Sequence, residues 1–204
     1  MNRQTRARLV MTLVAGMWAV AGANAQQSSR ELVKALQGGG CVLVMRHASS
    51  PREVPTKDTA NADNTTLERQ LDEPGRRGAS AMGNALRTLR IPIGSVLSSP
   101  TYRAMETVKL AGLKSPTVVK ELGDGGQSMQ SITEAQAAWL RRKVAEVPQS
   151  GNTILVTHQP NLSRAFPDWG ATVVDGETVV IRPDGKGGIA IVGRIPIDDW
   201  TRLQ

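Results

Sequence analysis

Two histidines, His47 and His158, are the only ones in this 204-residue chain, and each directly follows an apolar run. Cys41-Val42-Leu43-Val44-Met45 leads into Arg46-His47, and Thr153-Ile154-Leu155-Val156-Thr157 leads into His158. Continuous apolar runs of that length read as strands buried on both faces. Ligands of open α/β sheets gather at the carboxyl ends of the strands, so the local pattern alone carries both imidazoles to a ligand-binding edge. Arg46 stands at the same strand end, where its guanidinium offers a planar fork of donors suited to a phosphate. A third element, Ser98-Ser99-Pro100-Thr101-Tyr102-Arg103-Ala104-Met105-Glu106-Thr107, reads as a strand end turning into a helix. Its first or second turn presents Arg103, and helix N-termini attract anions. With two histidines and one cysteine, the chain holds no transition-metal ligand cluster, and no metal or cofactor is expected.

The elements that must position these groups follow from the remaining pattern. Arg30 to Leu36 reads as an amphipathic helix ended by Gly38-Gly39-Gly40. Polar residues from Ala48 to about Arg69 form a long surface loop, and loops of that length are usually functional. Pro74 suits the first turn of a helix running to about Leu89, although Gly75, Gly78 and Gly83 either weaken that helix or mark close packing. Ile93 to Ser98 is a second strand, Pro100 starts a helix through Ala111, and Thr117 to Val119 is a short strand. After a Gly-rich loop, Thr133 caps a helix through Val147. Thr178–Ile181 and Ile189–Ile195, joined by Pro183-Asp184-Gly185-Lys186-Gly187-Gly188, predict a C-terminal hairpin. Strands alternating with helices predict an α/β fold: a mostly parallel central sheet with helices on both faces.

In their order, these segments resemble the histidine phosphatase superfamily, also called phosphoglycerate-mutase-like. The resemblance is carried by Val44-Met45-Arg46-His47-Ala48, by Ser99-Pro100-Thr101-Tyr102-Arg103-Ala104-Met105-Glu106-Thr107 and by Val156-Thr157-His158. Leu71-Asp72-Glu73-Pro74-Gly75-Arg76-Arg77-Gly78-Ala79 is similar to the stretch that leads from the family's first loop into its helix. The resemblance implies that His47 attacks phosphorus and becomes phosphohistidine. It implies that Arg46, Arg103 and His158 line the pocket and stabilise charge on the phosphoryl oxygens. A leaving alcohol also needs a proton. Many members carry a Glu two residues after a Leu, and in Glu121-Leu122-Gly123-Asp124 that position is held by Asp124, with Glu121 as its rival. In the family's other branch an Asp follows the second His; here the neighbour is Gln159, so the likeness is to a small branch-1-type member. Arg69 and Gln159-Pro160-Asn161 are further candidates to face the substrate. The chain has no room for a large inserted cap, which points to an open pocket and a broad phosphomonoesterase or surface-glycolipid phosphatase rather than a glycolytic mutase. The competing class is a phosphate-binding or interaction protein of the same fold without turnover.

Composition sets the compartment and excludes some partners. Arg3, Arg6 and Arg8 precede an apolar stretch from Leu9 to Gly22 and the small-x-small site Ala23-Asn24-Ala25. These features read as a signal peptide over residues 1–25, with Gln26 as the mature start of a single domain over 26–204. The mature protein is expected in the periplasm or secreted, with no stable membrane insertion. The net charge is +7, and without the three leader arginines it is +4. That mild surplus suits a small phosphorylated substrate better than a nucleic acid. Cys41 has no second cysteine to pair with and opens an apolar run, so a buried thiol is expected.

Overall fold

The computed structural model describes residues 29–124 and 132–203; the leader read from the sequence, 1–25, lies outside them. The described chain begins in helix α1, 29–37. It continues through β1 (Val42–Arg46), α2 (Glu73–Thr88), β2 (Ile93–Ser98), α3 (Tyr102–Leu110) and β3 (Thr117–Val118). Then follow α4 (Glu134–Val144), β4 (Asn152–Thr157), α5 (Gln159–Ala165), β5 (Thr178–Pro183) and β6 (Ile189–Ile195). A 3-10 helix over Ile197–Leu203 closes the described chain.

The six strands form one sheet in the order β3-β2-β4-β1-β5-β6. The pairs β2–β3, β2–β4 and β1–β4 are parallel, whereas β5 runs antiparallel to β1 and β6 antiparallel to β5. The predicted hairpin therefore extends the sheet beside β1 instead of standing apart from it. Side chains alternate across a strand, and β1 divides between two cores accordingly. Leu43 and Met45 pack with Leu36, Met82, Leu86, Ala104 and Trp200 on one face. Val42 and Val44 pack with Leu122, Leu140, Leu162 and Phe166 on the other. Cys41 is fully buried in the first of these cores.

Helix boundaries follow their caps. Asp72 accepts the Gly75 N–H over 2.7 Å at the start of α2, and its other oxygen accepts the Ser49 hydroxyl over 2.6 Å. The cap thus also ties the helix to the loop behind His47. Thr133 and Gln136 form a reciprocal capping box on α4. That helix ends at Val144 rather than Val147, where Pro148 and Gly151 favour a turn. Gln159, Pro160 and Asn161, singled out in the sequence only as candidates to face the substrate, form the first turn of α5, where proline is compatible with a helix.

The glycines of α2 serve close packing. A Cβ at Gly83 would fall 1.8 Å from Ala111 O at the end of α3, and one at Gly75 would fall 2.1 Å from Ser49 O. No side chain fits either position without moving backbone. Gly83→Ala should therefore lower stability by about 1–3 kcal/mol, as overpacking does, despite alanine's better helix propensity. Urea denaturation read by circular dichroism checks this; an unchanged or higher midpoint would contradict the close approach of α2 and α3.

Candidate active site

The parallel register of β1 and β4 brings the two histidines together. Arg46 lies opposite Thr157, and the His47 N–H donates to Thr157 O over 3.0 Å. His47 and His158 are thus the next residues on adjacent, in-register strands. Such strands run about 4.8 Å apart, and the two imidazole centroids are 5.1 Å apart with planes inclined at 60°. From the other side, Ser99 at the end of β2 donates its N–H to Val156 O over 3.0 Å. Three parallel strand ends therefore converge on one point.

Arg103, in the first turn of α3, links the groups found there. Its Nε donates to His47 Nε2 over 3.1 Å, and its Nη2 donates to His158 Nδ1 over 3.1 Å and to Asp124 Oδ2 over 2.6 Å. The side chain is 1% exposed. Thr107, one turn later, accepts the Ala48 N–H over 3.1 Å and donates its hydroxyl to Arg103 O over 2.8 Å. The helix is thereby locked to the strand end that carries His47.

These bonds define the protonation of both rings. His47 Nδ1 lies 2.8 Å from Ala48 O, and a carbonyl only accepts, so Nδ1 carries the proton and Nε2 presents a lone pair. His158 Nδ1 accepts from Arg103, a donor only, which leaves its Nε2–H to donate to Ser99 Oγ over 2.8 Å. Asp124 Oδ2 also approaches His158 Nδ1, at 3.3 Å. The neutral ring is nevertheless the consistent form, because burial opposes a charged imidazole and so do the surrounding guanidiniums. Burial, followed by repulsion from Arg103, Arg46 and Arg69, pushes the His47 pKa down to about 3. Burial, then His47 and the same three arginines, lowers that of His158 well below the ordinary histidine value.

Arg46 reaches the site from β1. Its Nη2 forms a 2.5 Å ion pair with Asp175, its Nη1 donates to Val173 O over 3.2 Å, and its buried Nε has no partner among the described residues. Arg69 comes from the long loop, where Nε donates to Pro51 O over 2.7 Å and Nη2 to Ser50 O over 3.1 Å. Its charge acts on both histidines. Three guanidiniums thus face two carboxylates, those of Asp124 and Asp175, around two neutral imidazoles.

Not every residue singled out in the sequence lies here. Glu121 sits in the 3-10 helix Lys120–Leu122 and contributes its carbonyl, which accepts from Asn161 Nδ2 over 3.2 Å. Asn161 Nδ2 also reaches Gly123 O over 3.0 Å, so Asn161 braces the segment that carries Asp124. Gln159 donates to Ser163 Oγ over 2.9 Å within its own helix. The start of α3, expected to be open to an anion, already holds one: Glu68 Oε2 accepts the Tyr102 N–H over 2.9 Å. The helix dipole favours that carboxylate as it would a phosphate. Sequence reading passed over Asp175 and Glu68. Each lies in a loop, and each acts on a partner distant in the chain, so no local pattern marks them.

Two cavities, of about 410 and 390 Å³, lie against Ser95 and Lys143 and against Tyr102 and Leu113, and neither histidine lines them.

No family model and no curated protein matches the chain. Solved structures do match it. The protein histidine phosphatase SixA, complexed with tungstate, aligns with a TM-score of 0.57 at 19% identity, over 78% of this chain and 98% of that one. The product of an open reading frame of Mycobacterium tuberculosis gives 0.51 at 18% identity, over 75% and 96%. A SixA of Agrobacterium tumefaciens gives 0.50 at 15% identity, over 78% and 98%. At these identities the likeness is one of fold: the chain has the α/β architecture of phosphoglycerate-mutase-like structures, with a mostly parallel six-stranded sheet between two helical layers.

Proposed function

We propose that this protein is a phosphatase that passes the phosphoryl group of a phosphate monoester to His47 and then to water. The observation that carries the reading is the His47 ring itself. Its Nδ1–H is anchored on Ala48 O, and its Nε2 lone pair is held 3.1 Å from the Arg103 Nε. In the first step a bond forms between His47 Nε2 and phosphorus while the ester P–O bond breaks. The departing oxygen takes a proton from Asp124, which lies beside Arg103 and His158. In the second step water attacks phosphorus, Asp124 accepts its proton, the P–N bond breaks and inorganic phosphate leaves. Arg46 and Arg103 donate to the phosphoryl oxygens as charge moves onto them, and neutral His158 lines the pocket beside them. The SixA neighbour is a protein histidine phosphatase and was solved with tungstate, an oxyanion, which supports an anion site of this kind. The leader pattern over residues 1–25 supports action in the periplasm or outside the cell.

A second reading, an oxyanion-binding protein without turnover, draws on Asp124. Its Oδ2 is already engaged by Arg103 over 2.6 Å, so a proton donor must be released from that ion pair before it acts. Trapping the enzyme in a denaturing alkaline quench separates the two readings. The wild type should acquire an acid-labile phosphoryl label and His47→Ala none, with hydrolysis of an aryl phosphate lost and the fold retained. A wild type that never labels would favour the binder.

Asp124→Asn should slow hydrolysis by about 10²–10⁴-fold for alkyl phosphates, whose leaving groups need a proton. Aryl phosphates with acidic phenols should be affected far less. Equal losses across a leaving-group series would remove Asp124 from the acid role.

A neutral nucleophile buried among cations has a consequence for stability. The unfolded chain binds a proton on each histidine below about pH 6.5, whereas folded His47 resists protonation down to about 3. The unfolded state therefore holds more protons between those values, and stability falls as pH drops through that window, by about 1.4 kcal/mol per pH unit for each such histidine. Above pH 7 the contribution is constant. Denaturant midpoints measured from pH 7 to pH 4 should show this fall, and His47→Asn should lessen its slope, leaving the part due to His158.

A further inference from the structure

The Arg46 guanidinium is held by groups that the phosphatase scheme does not use. Its two outer nitrogens are both committed to one short loop, Nη2 to the Asp175 carboxylate at 2.5 Å and Nη1 to Val173 O at 3.2 Å. The buried Nε has no partner among the described residues. Arg103 has a parallel arrangement, with Nη2 on Asp124 and Nε turned to His47. In each arginine an aspartate takes an outer nitrogen.

The loop that supplies Asp175 is fastened independently of the Arg46 side chain. Gly176 N–H donates to His47 O over 2.9 Å, and Arg46 N–H donates to Glu177 O over 3.2 Å, so the loop runs alongside the nucleophile's own backbone. Glu177 is buried and forms a two-pronged pair with Arg194 of β6, at 2.6 and 2.8 Å. It also accepts the Val174 N–H over 2.9 Å. Arg194 in turn donates to Thr172 Oγ1 and Thr172 O, over 2.9 and 3.1 Å. A rigid bracket from β6 therefore ends in a carboxylate on Arg46. An arginine side chain has several rotatable bonds, and ordering it costs rotamer entropy; a bracket that bears this cost beforehand makes the guanidinium a better anion ligand.

We propose that Asp175 is a positioning residue: by pairing with the outer edge of Arg46, it holds the guanidinium, whose charge acts on His47, in place for an oxyanion bound beside that ring. The proposal rests on the phosphatase reading for the identity of that oxyanion. It makes a prediction opposite in sign to simple electrostatics, since deleting a nearby negative charge would otherwise tighten anion binding.

The test is a double-mutant cycle on the full chain with Asp175→Ala, Arg46→Ala and the pair combined. Tungstate affinity is read by calorimetry, and kcat/KM is read with an aryl phosphate. Asp175→Ala should weaken tungstate about tenfold, and the double variant should bind no worse than Arg46→Ala alone. Binding that is unchanged or tighter in Asp175→Ala overturns the proposal. So do losses that multiply in the double variant, because Asp175 would then act on something other than Arg46. If Asp175→Ala does not fold, Asp175→Asn, which keeps the shape and drops the charge, is carried through the same cycle with the same criteria. A wild type that binds tungstate without hydrolysing the ester would end the phosphatase reading while the binding cycle still decides the role of Asp175. A wild type that binds no tungstate would overturn both.

Discussion

Adjacent parallel strands that end level with one another give the same depth and direction to the residues that follow them. In this protein that constraint is the pairing of β1 with β4, in which Arg46 lies opposite Thr157 and the next residue on each strand is a histidine. A slip of one residue would turn one imidazole to the opposite face of the sheet. The register is secured by burial, since β1 and β4 feed both hydrophobic cores and slipping either would expose apolar side chains on both faces. Packing in the interior therefore controls geometry at the rim, and the spacing of the two rings is in effect the spacing of two strands.

Around that pair the protein assembles cations and keeps the imidazoles neutral. Arg46, Arg69 and Arg103 all disfavour protonation of His47 and His158. Asp124 and Asp175 offset part of the positive charge, each through an ion pair with a different arginine. On the proposed phosphatase reading, such a centre is complementary to a phosphoryl group. The helix that presents Arg103 is held by Glu68 at its start, by Thr107 on its inner face and by Gly83 against its end. Each holds the guanidinium in place from a different direction.

Much of this was legible in the sequence because the determinants are local. A continuous apolar run ending in His47 or His158 announces a buried strand and its tip. The Pro100–Thr107 segment announces a helix start with Arg103 near its first turn, and the Pro183–Gly188 turn announces a hairpin. What was not legible depends on contacts across the chain. Nothing in Thr178 to Ile195 says that the hairpin docks antiparallel beside β1. Asp175, in an Asp-Gly pair that reads as an ordinary turn, meets an arginine more than a hundred positions earlier. Helix α5 was hidden by its polar, proline-bearing first turn. Glu68 looked like one more polar loop residue until the fold brought it to the first N–H of α3.

The approach of α2 to the loop behind His47 also bears on how relatives of this protein can vary. Gly75 lies so near Ser49 O that any side chain there would require a different path for the backbone that follows His47. Substitution at that position and rerouting of the loop must therefore occur together. Among divergent sequences of this fold, a glycine aligned with Gly75 then signals that the chain leaves its first histidine along the course seen here, even where little other identity survives.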